Sequence, residues 1–384
     1  MVMATPLCPY FGSCGGCTTQ HIDYEKQLEN KKLTIARALK VDGGDVKTFC
    51  DEAYGYRNRM DFIFHPRGLG FRERGSFHKI VDVENCVIST PLINTLLGEV
   101  RRFFTSVDVF DLKRKSGVIR YALIRATSIG DSSISFVLNE DAPNKEPTVE
   151  KIKQFSLSSV AKNVLIAFLE AEKDDSTSDR FIVVKGQEFL EEELCGKRFQ
   201  FLTQGFFQNN TAMAQKMQEY VRGLLKGYST ADACLLDLYG GVGTFGIINA
   251  DLFKSVTIIE SVEPAIRYAQ HNIAGNGLKN VTAIVLDAKS LMRVKLPKPL
   301  YVITDPPRAG MHPKTIEQLN FLGPEAMVYI SCNLEQLARE LPKFKAYTVK
   351  SVALFDLFPQ TNHCETVVEL VRKEKDRMKE IIYT

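Results

Sequence analysis

The sequence predicts a two-domain α/β protein whose C-terminal half forms a Rossmann-like, doubly wound and mostly parallel sheet. In that half, apolar runs of strand length alternate with helical segments, which is typical of parallel sheets; the runs are 234–238, 255–259, 284–286, 301–304 and 326–330. Residues 54–202 instead carry short alternating runs, such as 60–64 and 181–184, which indicate an antiparallel sheet with hairpins. We therefore expect an α+β, antiparallel-sheet domain over residues 1–204 and the Rossmann-like domain over residues 205–384.

The composition is that of an ordinary globular protein and shows no membrane segment. The 384 residues are 45% hydrophobic and 25% charged, which provides enough apolar material for the cores of two domains. No run approaches about eighteen consecutive apolar residues, and the start lacks the basic and apolar stretches of a signal peptide. We therefore expect a cytoplasmic protein that does not bind membranes and acts as a monomer.

Three cysteines lie close together at the start of the chain. Cys8, Cys14 and Cys17 have the spacing C-x5-C-x2-C, and Cys86 follows far downstream. Disulfides are rare in the cytoplasm, whereas four thiolates can hold a [4Fe–4S] cluster or a structural zinc ion. Zinc sites more often combine two C-x2-C pairs, and this chain has one such pair. The spacing by itself leaves a cluster, zinc and free thiols open.

The N-terminal domain is also predicted to carry one helix and two basic segments. Residues 21–39 have the pattern of an amphipathic helix, which we expect to pack on the C-terminal domain. Segment 54–80 holds six Arg or Lys residues against two acids, and segment 101–125 holds seven against two. Basic stretches with interleaved aromatic residues suit contact with the phosphates and bases of a nucleic acid. A solvated basic face is the alternative.

A glycine-rich turn follows the first strand of the C-terminal half. Residues 237–246 contain four glycines, which let the backbone turn tightly against a ligand. Glu260 ends the next strand, where it can accept hydrogen bonds from two ribose hydroxyls, and Asp287 ends the third, where it can hold an adenine amino group. The glycines also fit a dinucleotide turn, but the leading Asp237 and the motif 305–308 favour S-adenosylmethionine. A dinucleotide site and a turn that serves packing alone are the alternatives.

A cysteine and a glutamate near the C-terminus form a candidate catalytic pair. Cys332 follows the apolar run 327–330 and is flanked by two polar residues, and Glu365 precedes the apolar run 367–371. Uracil C5 is a poor nucleophile, so its methylation needs a thiolate to add to C6 and a base to remove the C5 proton afterwards. Taken alone, Cys332 also fits a small buried side chain and Glu365 an ordinary strand-edge acid.

Five motifs in the C-terminal half together resemble the RNA uracil-5 methyltransferase family; they span 207–210, 237–245, 305–308, 331–333 and 358–365. The resemblance implies that Cys332 is the nucleophile and Glu365 the base. It also implies that six residues contact S-adenosylmethionine, namely Gln208, Tyr239, Thr244, Glu260, Asp287 and Asp305. Stacking of a flipped base on Phe206 or Phe207 is a further implication. Family members usually carry Cys at the position of Gly240, a departure that affects none of these roles.

The N-terminal cysteines resemble the branch of this family that binds a [4Fe–4S] cluster, on Cys8, Cys14, Cys17 and Cys86. The chain starts without the extra TRAM-type β-barrel of many relatives, like some members that act on 23S rRNA and some that act on the T-loop uridine of tRNA. We therefore expect 5-methyluridine formation in 23S rRNA, with tRNA as the alternative. A non-catalytic iron–sulfur RNA-binding factor is a rival hypothesis, as is an adenine N6 methyltransferase, whose motif has an aromatic residue where this chain has Arg308.

Overall fold

The computed structural model describes residues 3–374, and the predicted domain ends at 1–2 and 375–384 lie outside this range. Within it the chain forms eight α-helices, which are α1 (Tyr24–Leu39), α2 (Pro91–Phe103), α3 (Glu146–Ser158), α4 (Thr211–Leu225), α5 (Thr244–Ile248), α6 (Glu263–Gly275), α7 (Pro313–Leu322) and α8 (Leu334–Glu340). Short 3-10 helices cover Gly43–Asp45, Ala250–Leu252, Ala288–Arg293 and Leu341–Lys343. None of the helices in 3–374 combines the length and the apolar character that a membrane crossing requires.

The strands of the described chain form three sheets. Their bounds are β1 (Val46–Phe49), β2 (Arg59–His65), β3 (Gly68–Arg72), β4 (Ile80–Asp82), β5 (Ile119–Ala126), β6 (Ser132–Asn139), β7 (Asn163–Leu169), β8 (Phe181–Lys185), β9 (Phe189–Leu194), β10 (Lys197–Leu202), β11 (Cys234–Leu238), β12 (Ser255–Glu260), β13 (Val281–Val285), β14 (Leu300–Thr304), β15 (Ala326–Ser331), β16 (Tyr347–Phe355) and β17 (Glu365–Arg372). Strands β9 and β10 form a separate antiparallel hairpin.

The N-terminal sheet has seven strands in the order β4-β3-β2-β5-β6-β7-β8. Every residue of β5 and β6 is buried. Helices α2 and α3 pack on the sheet, and the loop 170–176 bonds to side chains of β2 and β5. Neighbouring strands are antiparallel except β6 and β7, which are parallel. The sequence predicts a wholly antiparallel sheet, so the parallel pair β6 and β7 departs from the prediction. These two strands are parallel because helix α3, which connects them, carries the chain back across the sheet.

The C-terminal sheet has eight strands in the order β1-β16-β17-β15-β14-β11-β12-β13. Within the group β11 to β15, every pair of neighbouring strands is parallel, which confirms the predicted doubly wound sheet. Strand β17 runs antiparallel to both β15 and β16. The carboxyl ends of the five parallel strands therefore meet at one edge, and the amino end of β17 lies at that same edge.

An N-terminal segment joins the C-terminal sheet. Helix α1 packs on α8, β1 and β16, and β1, for which the sequence analysis made no prediction, pairs in parallel with β16. The helix begins at Tyr24, later than residue 21, because the Asp23 side chain accepts a hydrogen bond from the backbone N–H of Glu25 and so caps it. The predicted division of the chain at residue 204 stays a prediction.

Candidate active site

The predicted site residues of the C-terminal sheet line up along one edge. Strands β15, β14, β11, β12 and β13 are neighbours in this order. The residues at or just past their carboxyl ends are, in the same order, Cys332, Asp305, Tyr239, Glu260 and Asp287. Four strand spacings of about 4.8 Å separate the first position from the last by roughly 19 Å. An extended ligand laid across the strand ends can reach from one to the other.

The antiparallel strand β17 places Glu365 beside Cys332. Ser331 pairs with Thr366 in the ladder between β15 and β17, so the next residues outward, Cys332 and Glu365, lie opposite each other. Glu365 is 5% exposed, and Cys332 is half-buried. The fold therefore brings together two residues that the sequence analysis selected from separate motifs.

Burial and two carboxylates keep the Cys332 thiol protonated. Burial, followed by the charges of Glu365 and Asp305, raises the pKa of Cys332 to about 11, while the charge and hydrogen bond of Arg308 act in the opposite direction. Burial, with a contribution from Asp305, also raises the pKa of Glu365 well above its usual value. At neutral pH the thiol is therefore uncharged before substrate binds, and it must lose its proton to become a nucleophile.

Arg308 is a site residue that the sequence analysis named only as part of a motif. It hydrogen-bonds the Cys332 thiol, and its Nη2 lies 3.1 Å from Nδ1 of His363. Burial, with a contribution from Arg308, lowers the pKa of His363, so its neutral ring accepts this hydrogen bond. Asn333 Nδ2 donates to the Arg308 carbonyl at 2.9 Å. The signal available in the sequence was a cation that directly follows Asp305 and its two prolines, just past the end of a strand.

The glycine-rich turn is packed on one side and open on the other. Asp237 is 1% exposed and accepts a hydrogen bond from the Gly246 N–H at 2.7 Å, which ties the start of α5 to β11. A Cβ at Gly240 would lie 2.6 Å from Cγ2 of Ile258, so a side chain there would force Ile258 to move. At Gly241, where φ is +54°, a Cβ would meet nothing within 4 Å. A ligand can therefore approach the backbone at Gly241.

Glu260 and Asp287 present carboxylates at the ends of β12 and β13. Oε1 of Glu260 accepts hydrogen bonds from the N–H groups of Ser261 and Val262 at 2.6 and 2.9 Å, and Oε2 accepts one from Gly241 at 3.3 Å. The side chain of Asp287 is 51% exposed and caps the 3-10 helix that follows it. These contacts hold the carboxylates at the sheet edge with room to accept hydrogen bonds from a ligand.

Asp305, Tyr239 and Thr244 lie nearer the middle of the edge, where β14 and β11 are neighbours. Burial, followed by the charge of Asp237, raises the pKa of Asp305 to about 7. Tyr239 is half-buried, and its φ of +63° turns the chain directly after β11. Thr244 is the first residue of α5 and is half-buried. The three side chains thus surround the carboxyl ends of the two central strands.

The loop between β10 and α4 carries Gln208 and two phenylalanines. Phe207 is buried, and its ring stacks on Phe201 with 4.1 Å between the centroids. Phe206 is 72% exposed and is therefore the one of the two that can meet a base. The Gln208 carbonyl accepts a hydrogen bond from Asn58 Nδ2 at 3.0 Å. The N-terminal half of the chain thus helps to position this loop.

Segment 356–364, which leads into Glu365, is also held by N-terminal residues. Lys31 Nζ lies 2.6 Å from Oδ1 of Asp356, and the two side chains are 6% and 0% exposed. The Tyr24 hydroxyl donates to the other carboxylate oxygen of Asp356 at 3.0 Å. These residues are 325 and 332 positions apart in the sequence, so no local pattern could indicate the contacts.

The four cysteines predicted to bind a cluster line one cavity of about 240 Å³; they are Cys8, Cys14, Cys17 and Cys86. Burial raises the pKa of Cys17 to about 11, and the charges of the other three cysteines add to this effect. The cysteine loop, residues 8–17, is tied to the end of β3 by a hydrogen bond of 2.9 Å from the Gly15 N–H to the Arg72 carbonyl. The fold therefore brings the three thiols of the cysteine loop close to the thiol of Cys86, which lies far downstream in the sequence.

The four cysteines share a cavity, but their arrangement does not form a metal site in this structure. Among residues 3–374, no three or more His, Cys, Asp or Glu side chains are placed to hold a metal ion. The shared cavity therefore does not distinguish a cluster from zinc, and binding of a cluster stays a prediction.

The chain is similar to RNA methyltransferases in sequence and in fold. The family model described as tRNA (uracil-5-)-methyltransferase matches residues 23–373. An uncharacterized RNA methyltransferase of Caldanaerobacter subterraneus is 34% identical, over 94% of this chain and 83% of that protein. A tRNA (uracil(54)-C(5))-methyltransferase of Pyrococcus horikoshii is 33% identical, over 97% and 88%. The crystal structure of the Pyrococcus abyssi tRNA (uracil-54, C5)-methyltransferase in complex with S-adenosyl-L-homocysteine gives a TM-score of 0.78 at 28% identity, over 97% of this chain and 88% of that chain.

Proposed function

Because the chain belongs to the tRNA (uracil-5-)-methyltransferase family, it is an S-adenosylmethionine-dependent RNA (uracil-5-)-methyltransferase, and we propose that Cys332 and Glu365 carry out its reaction. The family membership favours this activity over the non-catalytic and adenine N6 hypotheses. The observation that supports the proposal most is the register of β15 and β17, which sets Glu365 opposite Cys332. A nucleophile and a base on opposite strand ends can both reach one pyrimidine ring held between them.

The proposed reaction begins when the Cys332 thiolate adds to uracil C6. The new S–C6 bond moves the electron pair of the C5–C6 double bond toward C5, which becomes enolate-like and nucleophilic. S-adenosylmethionine would supply a methyl group on a positively charged sulfur. As C5 forms its bond to the methyl carbon, the methyl–sulfur bond would break with its electron pair on sulfur, and S-adenosylhomocysteine would leave. Glu365 then removes the C5 proton, the electrons of the C–H bond restore the C5–C6 double bond, and the thiolate leaves with the S–C6 electrons.

Arg308 is assigned the stabilisation of the thiolate. Its hydrogen bond and charge lower the pKa of Cys332 against burial and two carboxylates, which raise it. A charge-assisted hydrogen bond to sulfur favours the thiolate over the thiol. The buried carboxyl of Glu365, whose pKa is raised by burial, is a stronger base than an exposed glutamate, which suits removal of a carbon-bound proton.

The cofactor contacts are assigned to the six residues that the family resemblance implies; they are Gln208, Tyr239, Thr244, Glu260, Asp287 and Asp305. Five of them stand along or beside the carboxyl edge of the parallel strands, where an open α/β sheet binds its ligands. The open space at Gly241 supports a close approach of the ligand to the turn. The carboxylates at the ends of β12 and β13 can accept hydrogen bonds from hydroxyl and amino groups.

A methyl-transfer assay with two matched cysteine variants tests the catalytic pair. Cys332→Ala is expected to abolish incorporation of labelled methyl groups into uridine, while calorimetry shows that S-adenosylmethionine still binds. Cys50→Ala removes an exposed thiol outside the site and is expected to keep full activity. Transfer to uridine by Cys332→Ala at the unaltered rate would exclude the thiol as nucleophile.

The proposal also concerns which RNA the protein methylates. The family resemblance led us to expect 23S rRNA, whereas relatives from Pyrococcus that are 33% and 32% identical are named for uracil 54 of tRNA. These names support the tRNA alternative, so we propose tRNA as the first substrate and keep 23S rRNA as the second candidate. Methylation of unmodified tRNA and 23S rRNA transcripts, followed by mapping of 5-methyluridine, distinguishes the two.

We further propose that Cys8, Cys14, Cys17 and Cys86 hold a [4Fe–4S] cluster. The cavity that the four thiols share supports this assignment. The cysteines lie outside the line of site residues on the C-terminal sheet, so the cluster is assigned a structural role that joins the cysteine loop to the N-terminal sheet. Methyl transfer from S-adenosylmethionine moves no unpaired electron and does not need it.

Analysis of anaerobically purified protein tests the cluster. Iron and acid-labile sulfide are expected in equal amounts, and the visible absorption of iron–sulfur charge transfer is expected with them. Cys86→Ser should lower both contents, whereas Cys50→Ser should leave them unchanged. Zinc without sulfide in the unaltered protein would contradict the assignment.

A further inference from the structure

The N-terminal sheet carries a cleft that the proposed reaction does not use. It has a volume of about 360 Å³, and we refer to it as the β3 cleft because Arg72 at the end of β3 forms part of its wall. Both predicted basic segments, 54–80 and 101–125, line it. Ligand sites in proteins span about 300–1,000 Å³, so this cleft has room for a group the size of one nucleotide.

One wall of the β3 cleft is held rigidly by polar contacts. Arg72 donates to both carboxylate oxygens of Asp174 at 2.9 and 2.8 Å, and the Tyr121 hydroxyl donates to Asp174 at 2.8 Å. Arg120 is 2% exposed and donates to two backbone carbonyls. Arg72 therefore pairs with Asp174, and Arg120 adds a second, buried cation to the wall, which the charges of Asp174 and Asp141 partly balance.

Phe77 forms an aromatic surface at the mouth of the cleft. Its side chain is 56% exposed, yet the central guanidinium carbon of Arg72 lies 3.9 Å from the ring centroid and covers one face. Arg72 also donates to the Phe77 carbonyl at 2.9 Å. The His78 ring stands perpendicular to the Phe77 ring with 5.3 Å between the ring centroids. The Phe77 ring is thus held by Arg72 and His78 while more than half of the residue stays exposed, and an exposed ring held in place can stack an unpaired base.

The charge of the cleft favours an anionic occupant. Its lining includes four cations against two anions, the cations being Arg72, Lys79, Lys113 and Arg120. Lys79 forms an ion pair with Glu73 at 3.6 Å, yet its side chain is 77% exposed, so its ammonium group is open to solvent. Lys113 is exposed as well. Two exposed lysines beside an aromatic surface suit the phosphates that flank a stacked base.

The cysteine loop connects the β3 cleft to the active site. The Gly15 N–H donates to the carbonyl of Arg72 at 2.9 Å, and the N–H of Thr18, the residue directly after the loop, donates to the carbonyl of Gln360 at 2.9 Å. Gln360 belongs to the segment that leads into Glu365. One loop of the chain therefore touches both places, so an RNA strand bound at one of them is held in a defined position relative to the other.

We propose that the β3 cleft binds one unpaired nucleotide of the substrate RNA, with its base stacked on Phe77 and its flanking phosphates beside Lys79 and Lys113. The inference rests on the proposed function in that the RNA is the substrate of the methyltransferase. It adds a contact outside the reaction centre, which fixes the RNA while the target uridine is turned out of its stack toward Cys332.

Binding of a short fluorescein-labelled oligouridylate to the full chain, followed by fluorescence anisotropy, tests the proposal. All variants carry Cys332→Ala, so the result does not depend on methyl transfer. Phe77→Ala is expected to weaken binding about 5- to 150-fold, the range measured for loss of one stacked base, while Phe77→Tyr keeps the affinity. Phe321→Ala removes a 75% exposed phenylalanine on α7 and is the matched control. Lys113→Ala is expected to reduce the slope of log affinity against log salt by about one.

Three results would overturn the proposal. The first is binding by Phe77→Ala that equals binding by Phe321→Ala. The second is displacement of the labelled oligomer by uridine monophosphate at the same nucleotide concentration as by unlabelled oligomer, which would make the cleft a site for free nucleotides. The third is photo-crosslinking of a 5-iodouridine oligomer to peptides that exclude Phe77 and Tyr121. A protein that binds RNA through Phe77 but methylates none would contradict the proposed function and leave the cleft assignment standing.

Discussion

Replacement of Lys31 by methionine is expected to lower the free energy of unfolding by about 3–5 kcal/mol, the cost of leaving one partner of a buried ion pair alone. Lys31 and Asp356 are 6% and 0% exposed, with 2.6 Å between the charged atoms. Methionine fills a similar volume but removes the cation, so the Asp356 carboxylate would stay buried with the Tyr24 hydroxyl as its donor. Uncompensated buried charge, rather than lost packing, accounts for the size of the effect.

A double-mutant cycle in urea, followed by circular dichroism, separates the charge effect from packing. Lys31→Met with Asp356→Asn is expected to lose less stability than Lys31→Met alone, because no charge then remains in the buried site. A double variant that loses the sum of the two single effects would refute the reasoning.

Lys31 also donates to the Phe358 carbonyl at 3.2 Å, in the segment that leads to Glu365, so Lys31→Met is expected to lower kcat more than it raises KM for S-adenosylmethionine.

Glu365→Gln is expected to trap a covalent RNA–protein adduct on a denaturing gel, because the C5 proton can no longer leave; without an adduct, Glu365 is not the base. Alkylation of Cys332 by iodoacetamide, read from its peptide by mass spectrometry, is expected to rise about tenfold per pH unit up to its pKa of about 11, because only the thiolate reacts. Glu365→Gln should move that profile to lower pH, since a negative charge beside the sulfur is lost, and an unmoved profile would contradict the electrostatic account. Gly240→Ala is expected to cost about 1–3 kcal/mol of stability in thermal unfolding, because its Cβ would lie 2.6 Å from Ile258. Gly223→Ala in α4, where a Cβ meets nothing within 4 Å, is the control and should be neutral or stabilising by up to about 1 kcal/mol.

The positions of the parallel strands could be predicted from sequence because each is a local apolar run. The run 234–238 is strand β11 at the predicted limits, and Ala326–Ser331 extends its predicted run by one residue. The run 284–286 was misplaced: β13 spans Val281–Val285, since Asp287 caps a 3-10 helix and draws the chain out of the sheet before it. At the end of a strand, a side chain that caps the next helix competes with continued strand pairing. The apolar pattern of the sequence does not indicate where the strand stops as a result.

The supports of the site could not be predicted in this way. Nothing local to Lys31 indicates its partner Asp356, and nothing near β1 indicates that it pairs with β16. The parallel pairing of β6 and β7 likewise depends on where α3 carries the chain. Arg308 was visible as a residue of a motif, but its contact with the Cys332 thiol requires the two strand ends to be neighbours.

The sequence by itself determined the kinds of element and the chemical groups available. Strand and helix periods, a glycine-rich turn and a cysteine flanked by polar residues are local, so they can be recognised without knowledge of the fold. Only the tertiary structure decided that Glu365 stands opposite Cys332, that four thiols share one cavity and that Phe207 is buried while Phe206 is exposed. The physical reason is that strand register and packing are set by contacts between distant parts of the chain, whose energies no short window of sequence contains.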